Sequence, residues 1–114
     1  MSNDRELLEL AAKAAGVVGN RDSDGGYVYM AGSGPSLHVV KWHPLKDDED
    51  AFRLAVKLDI SLRQQFAMVV AEYPCVDAEF NERNTICEGV LDDHCASSRR
   101  VIVRAAAAMA KTTA

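Results

Sequence analysis

Three groups of side chains have types and spacings that could do chemistry. The first is His43 with the acidic run Asp47, Asp48, Glu49 and Asp50, inside the stretch KWHPLKDDEDAFRLAVKL (41–58). Histidine beside carboxylates is the donor set of a divalent-cation or acid–base site. A metal needs its ligands on one side, however, and consecutive residues at a helix start point in different directions. The alternating acids and central glycine of a calcium loop are missing. The second group is Cys75, Cys87, His94 and Cys95. Structural zinc sites use two short-spaced ligand pairs, whereas these residues run Cys-x11-Cys-x6-His-Cys. Adjacent His94 and Cys95 are poorly disposed to reach one ion together. A Cys–His nucleophile pair meets in space and not in sequence, so a small metal- or Cys/His-dependent enzyme stays open as an alternative. Burial as small apolar side chains is the ordinary state of such cysteines. The third group, GSGPS (32–36), lacks the Gly-Lys-Ser/Thr ending of a phosphate loop and opens no helix. Nucleophile-elbow, zinc-protease and dinucleotide signatures are absent. The sequence assigns no catalytic residue, no metal ligand and no cofactor, and its first reading is non-enzymatic.

Charge gives the next constraint. Seventeen acids against thirteen Lys and Arg leave a net charge of −4, which argues against general nucleic-acid or membrane-surface binding. The charge is unevenly spread. Between 72 and 93 there are seven acids and only Arg83, while 96–114 hold Arg99, Arg100, Arg104 and Lys111 without an acid. Asp77, Glu79, Glu82, Glu88, Asp92 and Asp93 form a candidate partner-binding surface. Carboxylates spaced along a surface imitate a nucleic-acid backbone and suit the basic groove of a partner protein. The basic helix gives an alternative, a nucleic-acid-binding regulator contacting phosphate through Arg99, Arg100 and Arg104.

These residues need elements to hold them. DRELLELAAKAA (4–15) repeats its apolar residues at helical spacing, and Gly16 suits the left-handed residue that ends a helix. GNRDSDGG (19–26) is turn chemistry. YVYM (27–30) and LHVVKW (37–42) are rich in strand formers and read as a hairpin. Pro44 disfavours helix at His43, and Asp47 or Asp48 is a good N-cap for the helix that follows. Glu49 and Asp50 then meet the helix dipole favourably, and Ala51, Phe52, Leu54, Ala55 and Leu58 supply its buried face. Each acid of the opening run thus has a helix-start role. Residues 59–64 alternate as a strand with one wet face, FAMVVAEY (66–73) suits a buried central strand, and TICEGVL (85–91) is a third. SSRRVIVRAAAAMAK (97–111) is helical because its alanine run favours helix strongly.

The order α-β-β-α-β-β-β-α, with hairpin-like neighbours, predicts one α+β domain over 1–114: a mainly antiparallel sheet with helices on one face. With 6% aromatics and abundant alanine, the core should be thin and its helices closely packed. No apolar run approaches the ~20 residues of a membrane span. An odd cysteine count without paired spacing and the absence of a visible secretory signal both point to a reduced, cytoplasmic setting.

DRELLELAAKAAG, WHPLKDDEDAFRLAVKL and SSRRVIVRAAAAMA together resemble a group of small proteins from temperate phages and prophages of Gram-negative bacteria. In that group a Trp-Asn-Pro-Leu-type stretch, a short acidic run and a Leu-Ala-Val-Lys-Leu helix recur; this chain has His43 in place of the Asn and Glu49 in place of a Gly. The resemblance carries no catalytic residue across. It implies a phage accessory protein acting in the host cytoplasm on a host or phage macromolecule, for instance as an anti-CRISPR-like inhibitor of bacterial defence.

Overall fold

The computed structural model describes residues 4–23, 25–65, 67–74, 83–90 and 93–112. Three helices and six strands follow in the order α1 (Asp4–Ala15), β1 (Asn20–Arg21), β2 (Tyr27–Ala31), β3 (His38–Trp42), α2 (Asp48–Leu58), β4 (Ser61–Gln65), β5 (Met68–Pro74), β6 (Arg83–Gly89) and α3 (His94–Thr112). Every strand pairing is antiparallel, and the chain is an α+β fold as its sequence predicts. The strands divide between two three-stranded sheets, β1-β2-β3 and β4-β5-β6. The short strand β1 falls in the turn-like segment, where two residues are too few to leave a period.

Alanine sets how closely the elements approach. The core holds Ala11, Ala12 and Ala15 of α1, Ala51 and Ala55 of α2, and Ala105 and Ala106 of α3, filled in by Leu8, Leu54, Val101 and Val103. The last helix packs against α1, α2, β5 and β6. It begins at His94, three residues before the expected start, because Asp93 supplies a cap: its Oδ1 accepts the N–H of Ala96 at 3.1 Å. The central strand β5 is the buried one, with Val69, Val70, Ala71 and Tyr73 all inside. Its partner β4 is exposed at all five positions instead of on one face only, since it is an edge strand.

Both α1 and α2 end in the same backbone motif. The N–H of Val17 reaches the carbonyl of Ala12 and that of Gly16 the carbonyl of Lys13, with Gly16 at φ +74°. In α2 the pair is Ile60 to Ala55 and Asp59 to Val56, with Asp59 itself left-handed at φ 58°. These turns satisfy helix carbonyls and send each chain back along its own helix.

The acidic run starts α2 as the sequence predicts. Asp47 is the N-cap and accepts the N–H of Glu49 at 3.2 Å. Asp50 reaches further, to the N–H of the buried His43 at 2.8 Å. The carbonyl of His43 takes the N–H groups of Lys46 and Asp47, so the backbone of one residue joins strand, turn and helix. Gly26 must lie flat beside it: a Cβ there would meet the Trp42 carbonyl oxygen at 2.6 Å. One expectation fails in α2. Ala51, Leu54 and Ala55 are buried, but Phe52 is 67% exposed. It shares the neighbouring stripe with Val56, one turn on, which faces outward too.

Burial holds the Asp50 carboxyl above its usual pKa of 3.8, reinforced by Asp47 and Glu49 and opposed by the bond from His43. The folded protein therefore keeps this proton to a higher pH than the unfolded chain. Its contribution to stability declines as pH rises from below 3.8 through the raised folded value. Asp50→Asn keeps an acceptor for the His43 N–H without the charge. It should match or exceed the wild type near neutral pH, with the advantage shrinking in acid, whereas Asp50→Ala should lose about 1–3 kcal/mol. Urea denaturation across the acid range checks both. Leucine in place of the fully buried Ala106 should cost about 1–3 kcal/mol by overpacking, read in the same measurement.

Candidate functional site

The basic face of α3 is engaged within the fold. Arg99 donates to the Leu45 carbonyl at 2.9 Å and pairs with Asp48 at the start of α2. Arg100 pairs with Asp4 of α1 at 2.8 Å and lies 3.9 Å from Glu88 of β6. Arg104 pairs with Glu88 and donates to the Cys87 carbonyl at 3.0 Å. Together the arginines tie the helix to α1, α2 and β6, and their charge is largely compensated.

The acidic candidates divide. Asp77, Glu79, Glu82 and Asp92 lie outside the described residues. Glu88 is half-buried against α3 by the two arginine contacts, and Asp93 is the cap of that helix. Two of the six therefore also have a role within the fold.

The cysteines also differ from expectation. Cys87 and Cys95 are exposed, not buried, and Cys75 lies outside the described residues. Cys87 pairs with Val70 in register, which puts it on the face of the second sheet turned away from the Val69, Ala71 and Ile86 side that meets the core. Cys95 stands with His94 in the first turn of α3. The sheet thus separates the members of the soft-ligand group. Among the described residues no three His, Cys, Asp or Glu side chains gather where a metal ion could sit.

Two concavities bear on these residues. A cleft of about 690 Å³ with charged side chains over an apolar floor of Leu8 and Leu45 lies between α1, the β1–β2 turn and the 43–46 turn, lined also by Arg5, Arg21, Lys46 and Arg100. Its cations are mostly paired: Arg21 with Glu9, Arg5 with Glu9, and Arg100 with Asp4. Arg21 also stands 5.3 Å over the Tyr27 ring, so it joins α1 to the first sheet. An apolar groove of about 370 Å³ runs between α2, β4 and the start of α3, with Phe52, Leu62, Cys95 and Ile102 in its walls.

The outer face of the first sheet is an apolar surface that the sequence reading missed. The register pairs Tyr27 with Trp42 and Tyr29 with Val40 on one face, and Met30 with Val39 on the other. The first face joins the core, where Tyr27 and Trp42 meet edge to face at 5.9 Å. The second turns outward with Met30 54% and Val39 58% exposed, and Leu37 beside them is exposed too. Apolar residues at both odd and even positions of YVYMA and HVVKW carry the signal. It was legible as a sheet with two apolar faces, of which a small domain covers only one.

Among the described residues no helix is long and apolar enough to cross a membrane. Comparison of the chain with protein families, curated proteins and solved structures returns no match.

The geometry gives Glu88 a structural role that can be separated from partner binding. Glu88→Ala should cost up to about 1 kcal/mol, because it removes two ion pairs whose arginines are more than a third exposed. A thermal-unfolding midpoint equal to that of the wild type would show instead that the pairs add nothing to stability.

Proposed function

We propose that this chain is a non-enzymatic accessory protein that binds a partner protein through the outer face of its first sheet. The observation that carries the reading is the cluster of Met30, Val39 and Leu37, three large apolar side chains each more than half exposed on and beside one hairpin. Grouped apolar side chains at a surface mark interaction sites more often than they occur by chance. Methionine adds adaptability to such a surface. The engagement of Arg99, Arg100 and Arg104 with Asp48, Asp4 and Glu88 favours a protein partner over nucleic acid. The resemblance of the three helical blocks to temperate-phage proteins supports a partner drawn from the infected cell, with an inhibitor of bacterial defence as the specific form of the proposal.

Affinity capture from a bacterial lysate, with and without nuclease, tests this. A nuclease-resistant complex is expected, and the double variant Met30→Lys, Val39→Lys should lose it while keeping the wild-type circular dichroism spectrum. Neutralising Asp77, Glu79, Glu82 and Asp92 together tests the acidic-mimic form separately. Unchanged capture by that variant removes the mimic and leaves the sheet face. Complete loss of partners on nuclease treatment would overturn the protein-binding reading.

A further inference from the structure

The second sheet ends on one side at β4, whose five residues are all exposed and whose outer edge meets no strand among the described residues. An open edge is a template for pairing with another strand. Beside it lies the apolar groove, and Phe52 and Val56 of α2 are 67% and 64% exposed, with Leu62 of β4 at 43%. Edge and groove thus form one surface on which hydrogen-bonding groups and apolar side chains are both available.

We propose that two copies of the chain pair along β4 about a two-fold axis at Leu62, joining their second sheets into one six-stranded antiparallel sheet. A two-fold axis perpendicular to the sheet keeps each side chain on its own face, so one residue of β4 must pair with itself. Charge excludes one centre, and apolar matching at the exposed Leu62 selects the other. Centring on Arg63 would set two guanidinium groups directly opposite, which is destabilising. Centring on Leu62 sets Leu62 against the partner's Leu62 on the helix-bearing face, beside the exposed Phe52 and Val56. On the other face it sets Arg63 opposite the partner's Ser61.

Ser61 pairs in register with Glu72 within each copy. Arg63 would therefore share a rung with the partner's Ser61 and, one strand further, the partner's Glu72. Strand spacing puts that acid about 10 Å away between backbones, within the combined reach of the two side chains across a small serine. Each Arg63 already pairs with its own Glu72 at 3.3 Å, so the two copies would form a four-membered alternating network. The same axis brings both grooves to the centre of the interface.

The dimer leaves the first sheet of each copy untouched. It is independent of the partner-binding reading and would present two copies of that surface together.

Sedimentation equilibrium of the full chain should give twice the 12.4 kDa chain mass, and Leu62→Lys should return it to the monomer. A self-paired position has its two Cα atoms about 4.5–5.5 Å apart, inside the range that a disulfide spans. With Cys75, Cys87 and Cys95 replaced by serine, Leu62→Cys should therefore oxidise to a linked dimer. Gln64→Cys, on the same face but displaced from its own copy across the axis, should not. A wild-type monomer at all concentrations would overturn the proposal. A dimer that survives Leu62→Lys, or that links through position 64 and not 62, would overturn it as well.

Discussion

Close approach to one alanine-rich helix is the constraint on which the structure depends. Ala105, Ala106, Ala107 and Ala110 of α3 are buried, and the small side chains let α1 and α2 settle near its axis while Val101 and Val103 fill the remaining space. Packing of this kind is unforgiving of added volume. It gives much contact for little side-chain entropy, because an ordered alanine loses no rotamers. A domain of this length with few aromatics has few other ways to build a core.

Charge reinforces what alanine begins. The three arginines of α3 sit at the rim of the buried surface and reach the start of α1, the start of α2 and the face of β6. Isolated surface ion pairs are worth little. Glu88 is different because it is half-buried and meets two of the arginines, so its environment is less screened. The uneven charge visible along the chain is thus partly resolved in the fold, where an acidic stretch and a basic helix become neighbours. Their complementarity is internal before it is directed at any partner.

The arrangement leaves apolar surface in two places, and the reason is geometric. An α3 that packs on β5 and β6 does not extend over the edge strand β4, so Leu62 and the adjoining Phe52 stay open. The first sheet lies on the other side of α2 along the chain and has one face in the core. Its other face carries Met30 and Val39 outward. Among the described residues three α-helices are available to cover four sheet faces. Surfaces left over in this way are available for association.

By itself the sequence determined the local elements. Pro44 and Asp47 set the start of α2, Gly16 ended α1, the alanine run made α3, and the strand formers of 27–30 and 37–42 made the first hairpin. Each rests on backbone preferences and periods that act within a few residues. It also set the role of the acidic run, since caps and dipoles are local. Tertiary structure decided the rest. Only the fold divided the strands into two sheets, turned Phe52 outward and brought Glu88 to Arg100 and Arg104. It also placed Cys87 and Cys95 on separate surfaces. Those outcomes depend on which faces of distant segments meet, and a period in the sequence marks a face as apolar without saying what will cover it.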